Sequence, residues 1–566
     1  SSSAPPTTNK DQSATIDFSS EWASSSMVWV SSSNQSRSHV AILDANNPNN
    51  VVDAFHVCDS QLLAIKATPG VMEHDPRTDE PEAKKYLRGS GHIKDCPAGL
   101  DPVELGCVEW CELRKMEASD DGVETLCTIE LKPSPERKRD FSVSEVATGS
   151  SDAPEEPTTP PRRVGRSALP PHIRDAMAAY DAVAEKGAMD TAQPTVWLGS
   201  QNHYIYIHSA ITDWRRCIRR VKMADSVLSF AFVAGRMFAA LANGTIAVFH
   251  RDKYGRWSEE GYHVILVGRA TNSVKSLTVV DGKIWAAYKN NIIVVNPVTL
   301  DVEAAFSAHP RKDSQVHSMQ AVGAGVWVSI RLDSTLRLFH ARTHLHLQDV
   351  DIEPYLTKVL GASRLDFNYV RTTALLVSNR RLWIGTGMGV IISVPLSESN
   401  EQKVDTSATV SSKKSLGAPG GPGGLVRVYA SPKEGGDGAA GAPVAPTSPP
   451  KGAAVVPAPT ASGDAAKAFI PYCNLTQAQF SFHGHKDNVK FFLSVPGEFA
   501  EMDDVTTHKK LLVMSGGDGY IDFRVGEEDD AALASDAPPP PAKKGPSTRD
   551  MSHLIIWEID AEVKNM

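Results

Sequence analysis

The chain has 566 residues, and its 58 Lys and Arg stand against 67 Asp and Glu, a formal net charge of −9. This mild acidity argues against a general binder of nucleic acid or anionic membrane, which would carry a basic excess. With 41% hydrophobic and 22% charged residues the chain can bury a sizeable core, and no apolar run approaches the roughly eighteen residues of a membrane helix.

Residues 1–24 are polar, hold no apolar signal-peptide core and lack an initiator Met, so they read as a flexible segment and the chain as a fragment of a longer one. The seven Cys are odd in number and thinly spread, which fits reduced thiols in a cytoplasmic setting. From residue 25 a pattern recurs. A short apolar strand with an aromatic near its start meets a small or polar turn and then a second strand. Met27-Val-Trp29-Val leads to His39-Val-Ala-Ile-Leu, Val196-Trp197-Leu-Gly to Tyr204-Ile-Tyr-Ile-His208, and Met237-Phe238-Ala-Ala-Leu to Thr245-Ile-Ala-Val-Phe. Ile284-Trp285, Val326-Trp327, Leu382-Trp383 and Leu511-Leu-Val-Met repeat it downstream. The Trp197, Phe238, Trp285 and Trp327 positions stand 41, 47 and 42 residues apart, close to the roughly 40–45 residues of a four-stranded propeller blade. Asn/Asp-Gly turns supply the φ > 0 positions of two-residue hairpins. A further strand precedes each hairpin from the second copy on, as in Gln61–Ala67 and Val274–Val280. A fourth follows several, as in Val302–Phe306. The expected fold class is therefore all-β: a seven-bladed, WD-like β-propeller with long disordered insertions.

The expected layout is propeller over 25–68, a largely disordered insertion with a short helix at His172–Lys186 over 69–192, and blades over 193–397. A Gly/Pro/Ala-rich disordered loop follows over 398–470, then blades over 471–526, an acidic and Pro-rich loop over 527–550, a final strand over 551–560 and a tail over 561–566. Residues 411–460 hold 10 Gly and 9 Pro, a composition that buries too little apolar surface to offset ordering entropy.

Few residues point to chemistry. Gly385-Thr-Gly387-Met-Gly389 lacks the spacing and the following helix of a phosphate loop and reads as a tight turn before Val390-Ile-Ile-Ser-Val. Cys96, Cys107, Cys111 and Cys127 are spaced too irregularly for a zinc site. No Walker loop, His-Glu-x-x-His helix or Gly-x-Ser-x-Gly elbow occurs. No catalytic residue, metal or cofactor is expected, and an enzyme with a channel site would have to draw on His309, His317 or His485. The strongest basic run holds Arg215, Arg216, Arg219 and Arg220, candidates for contact with an acidic partner, against the plainer reading of a solvated outer strand. Ser134, Thr159, Ser431 and Ser448 each precede Pro and are candidate sites for a proline-directed kinase.

The runs Gln193–Gly199, Phe306–Val316, Gly325–Leu338, His346–Pro354, Arg381–Leu396, Phe482–Gly497 and Val513–Arg524 resemble, long and collinear, the C-terminal propeller of the c-Jun N-terminal kinase-interacting scaffold family, in its coiled-coil, motor-adaptor branch. The resemblance spans about 25–68 and 193–559 with gaps and does not extend to the insertions. It implies a non-catalytic interaction module and, for a parent protein, c-Jun N-terminal kinase and upstream kinases, kinesin light chain, dynein/dynactin and Arf- or Rab-family GTPases as partners. It also implies a cytoplasmic location on vesicles or microtubule transport, with neither nucleic acid binding nor membrane insertion. In the family most of these activities lie N-terminal of the propeller, and no sustained heptad occurs here, so they cannot be placed on residues of this chain. Rho-family exchange factors carry a similar Trp-Ile-Gly-Thr-Gly strand and are the nearest alternative.

Overall fold

The computed structural model describes residues 27–76, 97–128, 190–360, 370–398, 426–428, 469–521 and 552–561, with short breaks at 34–35, 49, 98–99, 102–104, 117–122, 483 and 501–507. The chain divides into two compact units, Met27–Val316 and His317–Met566.

Apart from one parallel pairing in the Met27–Val316 unit, both units are built from antiparallel sheets in up-and-down order, the blades of a WD-like propeller. Val274–Val280, Lys283–Tyr288, Asn291–Val295 and Val302–Ser307 form one complete four-stranded blade. Alternation explains the order: each hairpin strand carries apolar side chains to both faces, because blades pack on both sides. Trp197, Phe238, Trp285 and Trp327 are each 0% exposed, so the recurring aromatics are core residues. Trp285 meets Phe306 edge-on at 5.3 Å, tying the second strand of that blade to its fourth. The repeat is visible in a shared irregularity. Five inner hairpins shift register one step from their start, at Leu62/Ala64, Val227/Ser229, Val274/Ser276, Thr372/Ala374 and Val489/Phe491. A bulge at one fixed position twists each inner strand alike.

The turns follow the residues. Asn243-Gly244 closes a hairpin with Gly244 at φ +76°, and a Cβ there would stand 2.8–2.9 Å from the carbonyl oxygens of Arg269, Asn272 and Gly268. Gly389 closes the turn before Ile391–Ser397 at φ +81°, its Cβ position 2.2 Å from the His485 carbonyl oxygen. The glycine-rich Gly385–Gly389 stretch is thus a packed turn.

The first insertion leaves its blade intact, since Leu62–Thr68 pairs with Thr195–Ser200 across it. Both of its ends are tied by one arginine. Arg251 is 0% exposed and donates to the carbonyls of Pro69 at 2.9 Å and Thr191 at 3.2 Å, while stacking on Trp257 at 4.3 Å.

The expectation for 69–192 needs correcting in one part. Val108–Lys115 and Glu124–Thr128 are strands, and they pair with each other as an antiparallel ribbon. The His172–Lys186 helix lies outside the described residues. Within 398–470, Val426–Val428 pairs antiparallel with His346–Asp351. The final strand is Ser552–Ala561, one residue beyond the expected bounds, and pairs with His508–Asp518. The 1–24 segment, the 527–550 loop and the tail beyond 561 lie outside the described residues. Helix is confined to Glu353–Leu360 and a 3-10 turn at Leu475–Gln477 among the described residues. No helix there is long and apolar enough to cross a membrane.

Candidate functional site

The ribbon changes the meaning of the basic strand. Cys217–Lys222 is the outer strand of one blade, and Gly261–Leu266 is the outer strand of the next. Outer edges leave a row of backbone donors and acceptors unpaired. Val108–Lys115 lies antiparallel on Gly261–Leu266, with Trp110 opposite His263. Glu124–Thr128 lies parallel to Cys217–Lys222, with Glu124 opposite Arg219. The two blades and the ribbon become one ten-stranded sheet.

Four charges lock the seam. Arg219 donates to the Trp257 carbonyl at 3.0 Å, pairs with Glu124 at 3.4 Å and forms a close ion pair with Glu259. Lys115 reaches Glu124 at 2.6 Å and Glu259 at 2.8 Å. Partial burial pushes the Glu259 carboxyl up, but the Lys115 hydrogen bond and the Arg219 charge outweigh it and hold the group below its ordinary range. Lys115 is raised in turn, by Glu124 first and Glu259 second. Two cations and two carboxylates leave the cluster neutral.

The four candidate arginines therefore do not form one contact surface. Arg219 is 7% exposed and committed inside the protein, because the outer edge it lies on is covered by Glu124. Arg215 is bound to Asp53, which also accepts the Trp214 indole N–H at 2.7 Å. Arg220 lies over the Tyr206 ring at 5.7 Å. Arg216 is exposed. Strand alternation separates Arg219 from Arg220, and the Asp213–Arg216 turn precedes the strand altogether.

The three candidate histidines are each tied to their own neighbours. His309 Nδ1 accepts from the Arg311 backbone N–H at 3.0 Å. His317 Nε2 bonds the Thr373 carbonyl at 3.0 Å. His485 Nε2 meets Ser515 Oγ at 2.8 Å, and the same hydroxyl accepts from Trp557 Nε1 at 3.0 Å. Burial, with the nearby His553, brings His485 down to about 4. Among the described residues no three His, Cys, Asp or Glu side chains gather as a metal site. Cys107, Cys111 and Cys127 form no disulfide, with Cys111 raised to about 11 by burial, and Cys96 lies outside the described residues. Ser134, Thr159, Ser431 and Ser448 also lie outside them.

A buried aromatic cluster at the seam escaped sequence reasoning. Trp110, 7% exposed, stacks on His250 with centroids 5.8 Å apart and planes 7° apart. It meets His263 edge-on at 5.0 Å, and the two imidazoles meet at 4.6 Å. Gly261 makes room for the indole, since a Cβ there would fall 2.5 Å from Trp110 Cζ2. The legible signal was the alternation of Val108-Glu-Trp110-Cys-Glu-Leu-Arg-Lys115.

Comparison with known proteins agrees with this architecture. A WD40 repeated-domain family matches residues 171–402. A JNK-interacting protein of Caenorhabditis elegans is 58% identical over 550 residues, covering 96% of this chain and 43% of that protein. The C-Jun-amino-terminal kinase-interacting protein 3 of Mus musculus is 36% identical over 599 residues, covering 95% and 42%. Rho guanine nucleotide exchange factor 17 of Homo sapiens is 25% identical over 380 residues, covering 65% and 16%. The chain thus spans a little under half the length of the JNK-interacting relatives it matches. With near-complete coverage of its own length by those relatives, and with a WD40 repeated domain at residues 171–402, it belongs to the family of JNK-interacting proteins.

Proposed function

We propose that this chain is a non-catalytic protein-interaction module, the propeller of a scaffold that organises c-Jun N-terminal kinase signalling and links it to kinesin- and dynein-driven vesicle transport. The observation that carries this reading is the 58% identity to a JNK-interacting protein along 96% of the chain. The described polar groups support it, because the candidate histidines are each tied to their own neighbours. The partners are proteins, with c-Jun N-terminal kinase and its upstream kinases first. Kinesin light chain, dynein/dynactin and Arf- or Rab-family GTPases are partners of the assembled scaffold. The location is cytoplasmic, on vesicles or microtubule transport through those partners. Ser134, Thr159, Ser431 and Ser448 are substrates of the recruited proline-directed kinase, each gaining roughly −1.5 to −2 charges.

Co-precipitation of the purified chain with purified c-Jun N-terminal kinase, followed by phosphosite mapping, tests this. Retention of the kinase with phosphate on these serines and threonine is the expected result. No retention and four empty sites would remove the reading. The match to an exchange factor favours one alternative, the propeller half of a Rho guanine nucleotide exchange factor. An exchange domain encoded upstream of this chain in the parent transcript would establish it, and none is expected.

A further inference from the structure

The ribbon is attached to the two blade edges through a seam that holds a buried imidazole pair. His250 ends the third strand of its blade, His263 lies on the fourth, and Trp110 of the ribbon covers both. His250 and His263 are 2% and 1% exposed. Neither His250 nitrogen nor Trp110 Nε1 has a hydrogen-bond partner among the described residues. The charged group that faces His250 from the neighbouring strand is Arg236, itself 3% exposed and donating to the Pro297 and Val298 carbonyls at 2.8 Å. On the ribbon, Glu109 and Cys111 alternate to the opposite face from Trp110, and Glu112 stands at the exposed end of the strand opposite Gly261. The environment of His250 is thus an indole, a second imidazole and a guanidinium. None of these is an anion that could neutralise an imidazolium, and the guanidinium opposes one.

We propose that the ribbon is a proton-released clamp: it docks on the neutral His250–His263 pair at neutral pH and leaves both outer edges on acidification. A buried, unneutralised imidazolium is costly, whereas detaching Trp110 opens His250 to water, where it titrates normally. Protons therefore bind the detached form in preference to the docked one and shift the balance toward it. Burial, the His263 ring and the Arg236 charge hold docked His250 well below its ordinary 6.5. Taking 6.5 for the detached form, going from pH 7.4 to pH 5.0 raises the ribbon's opening constant by about thirty-fold through His250 alone. The consequence is specific. The edges of Cys217–Lys222 and Gly261–Leu266 become free to accept an extended strand of another chain.

Amide hydrogen exchange on the full chain, read by mass spectrometry at pH 7.4 and pH 5.0 after correction for intrinsic rates, tests the proposal. Segments 108–115 and 124–128 are compared with the Gly325–His340 hairpin, which belongs to the other compact unit. The expected result is a selective gain in exchange of about thirty-fold in the ribbon, with the hairpin protected at both pH values. His250→Phe should lose most of that acid response, and His250→Asn, polar but not titrating here, provides the same test if the phenylalanine variant does not fold. Equal change in ribbon and hairpin, no change in either, or variants that open with acid as steeply as the parent would each overturn the clamp.

Discussion

Replacing Trp110 by Ala should loosen the ribbon far more than it loosens the blades. The indole is 7% exposed, stacked on His250 and edge-on to His263 in a site shaped by Gly261. Large-to-small replacement of a buried aromatic costs about 3–5 kcal/mol. What remains to hold Val108–Lys115 is the buried Val108, the Lys115 ion pairs and backbone pairing along five residues of Gly261–Leu266, the last with net contributions of about 0.5–1.5 kcal/mol per hydrogen bond, set against the entropy of ordering the strand. Losing about 3 kcal/mol from local docking raises the open population roughly a hundredfold. Arg114 and Lys115 are exposed on this strand, so trypsin reports its opening directly. Cleavage after these two residues should quicken about a hundredfold in the variant at neutral pH, while the urea midpoint of the blades moves much less. Proteolysis tracks the open population where reclosing outruns cleavage, so the rate ratio reads the free energy. Cleavage there at the parental rate would refute the assignment of Trp110 as the anchor. A large ratio accompanied by equal loss of blade stability would show that ribbon and blades unfold as one unit.

Other expectations follow from the same geometry. Glu259→Gln removes a carboxylate shared by Arg219 and Lys115; at its partly exposed site the loss should be about 1–2 kcal/mol in urea denaturation, and the double change Arg219→Met with Glu259→Leu should recover most of it. Gly244→Ala meets three carbonyl oxygens and a φ of +76°, and should lower stability by about 2–4 kcal/mol in thermal unfolding. His208 is 2% exposed, with its ring nitrogen 2.7 Å from the Trp214 carbonyl, and burial brings it down from 6.5 to about 4. Its folded value is depressed and its neutral form is the folded one, so its contribution is complete above about 6.5 and disappears as pH falls toward 4. The loss at pH 5.0 is about 2 kcal/mol, which His208→Gln should abolish in denaturation curves taken at pH 7.4 and 5.0.

The hairpins were legible because their determinants are local. An aromatic, two or three β-branched residues and a turn rich in Asn, Asp or Gly lie within fifteen residues of one another, and Trp285 and Trp327 are both buried. The inner strands were legible for the same reason, with Val274–Val280 found where the alternation placed it. The ribbon was not, because its partners are distant in sequence: Trp110 meets His250 and His263 about a hundred and fifty residues away. Its composition also misled. Four of the eight residues of Val108–Lys115 are charged, which reads as a solvated loop until a blade edge is supplied for the backbone and an opposite cluster for the side chains.

That misreading and the misreading of Arg219 have one cause. A basic outer strand was taken as an edge kept open and defended by charge. The edge is instead closed, and the arginine that would have defended it is the counter-charge that holds the closing strand. Arg219, paired in register with Glu124, serves the fold. The exposed Arg216 and the neighbouring turn are what remain of the basic run for a partner. The acidic groups that meet Arg219 and Arg215 are the chain's own: Glu124 of the insertion, and Glu259 and Asp53 outside it. The same argument bears on the scaffold reading. If the ribbon's edges are normally filled in cis, partners that add strands to these two blades must displace it, and partners that bind at neutral pH without displacing it must use other surfaces. Competition for the seam, measured as ribbon exchange in the presence and absence of a retained partner, separates the two.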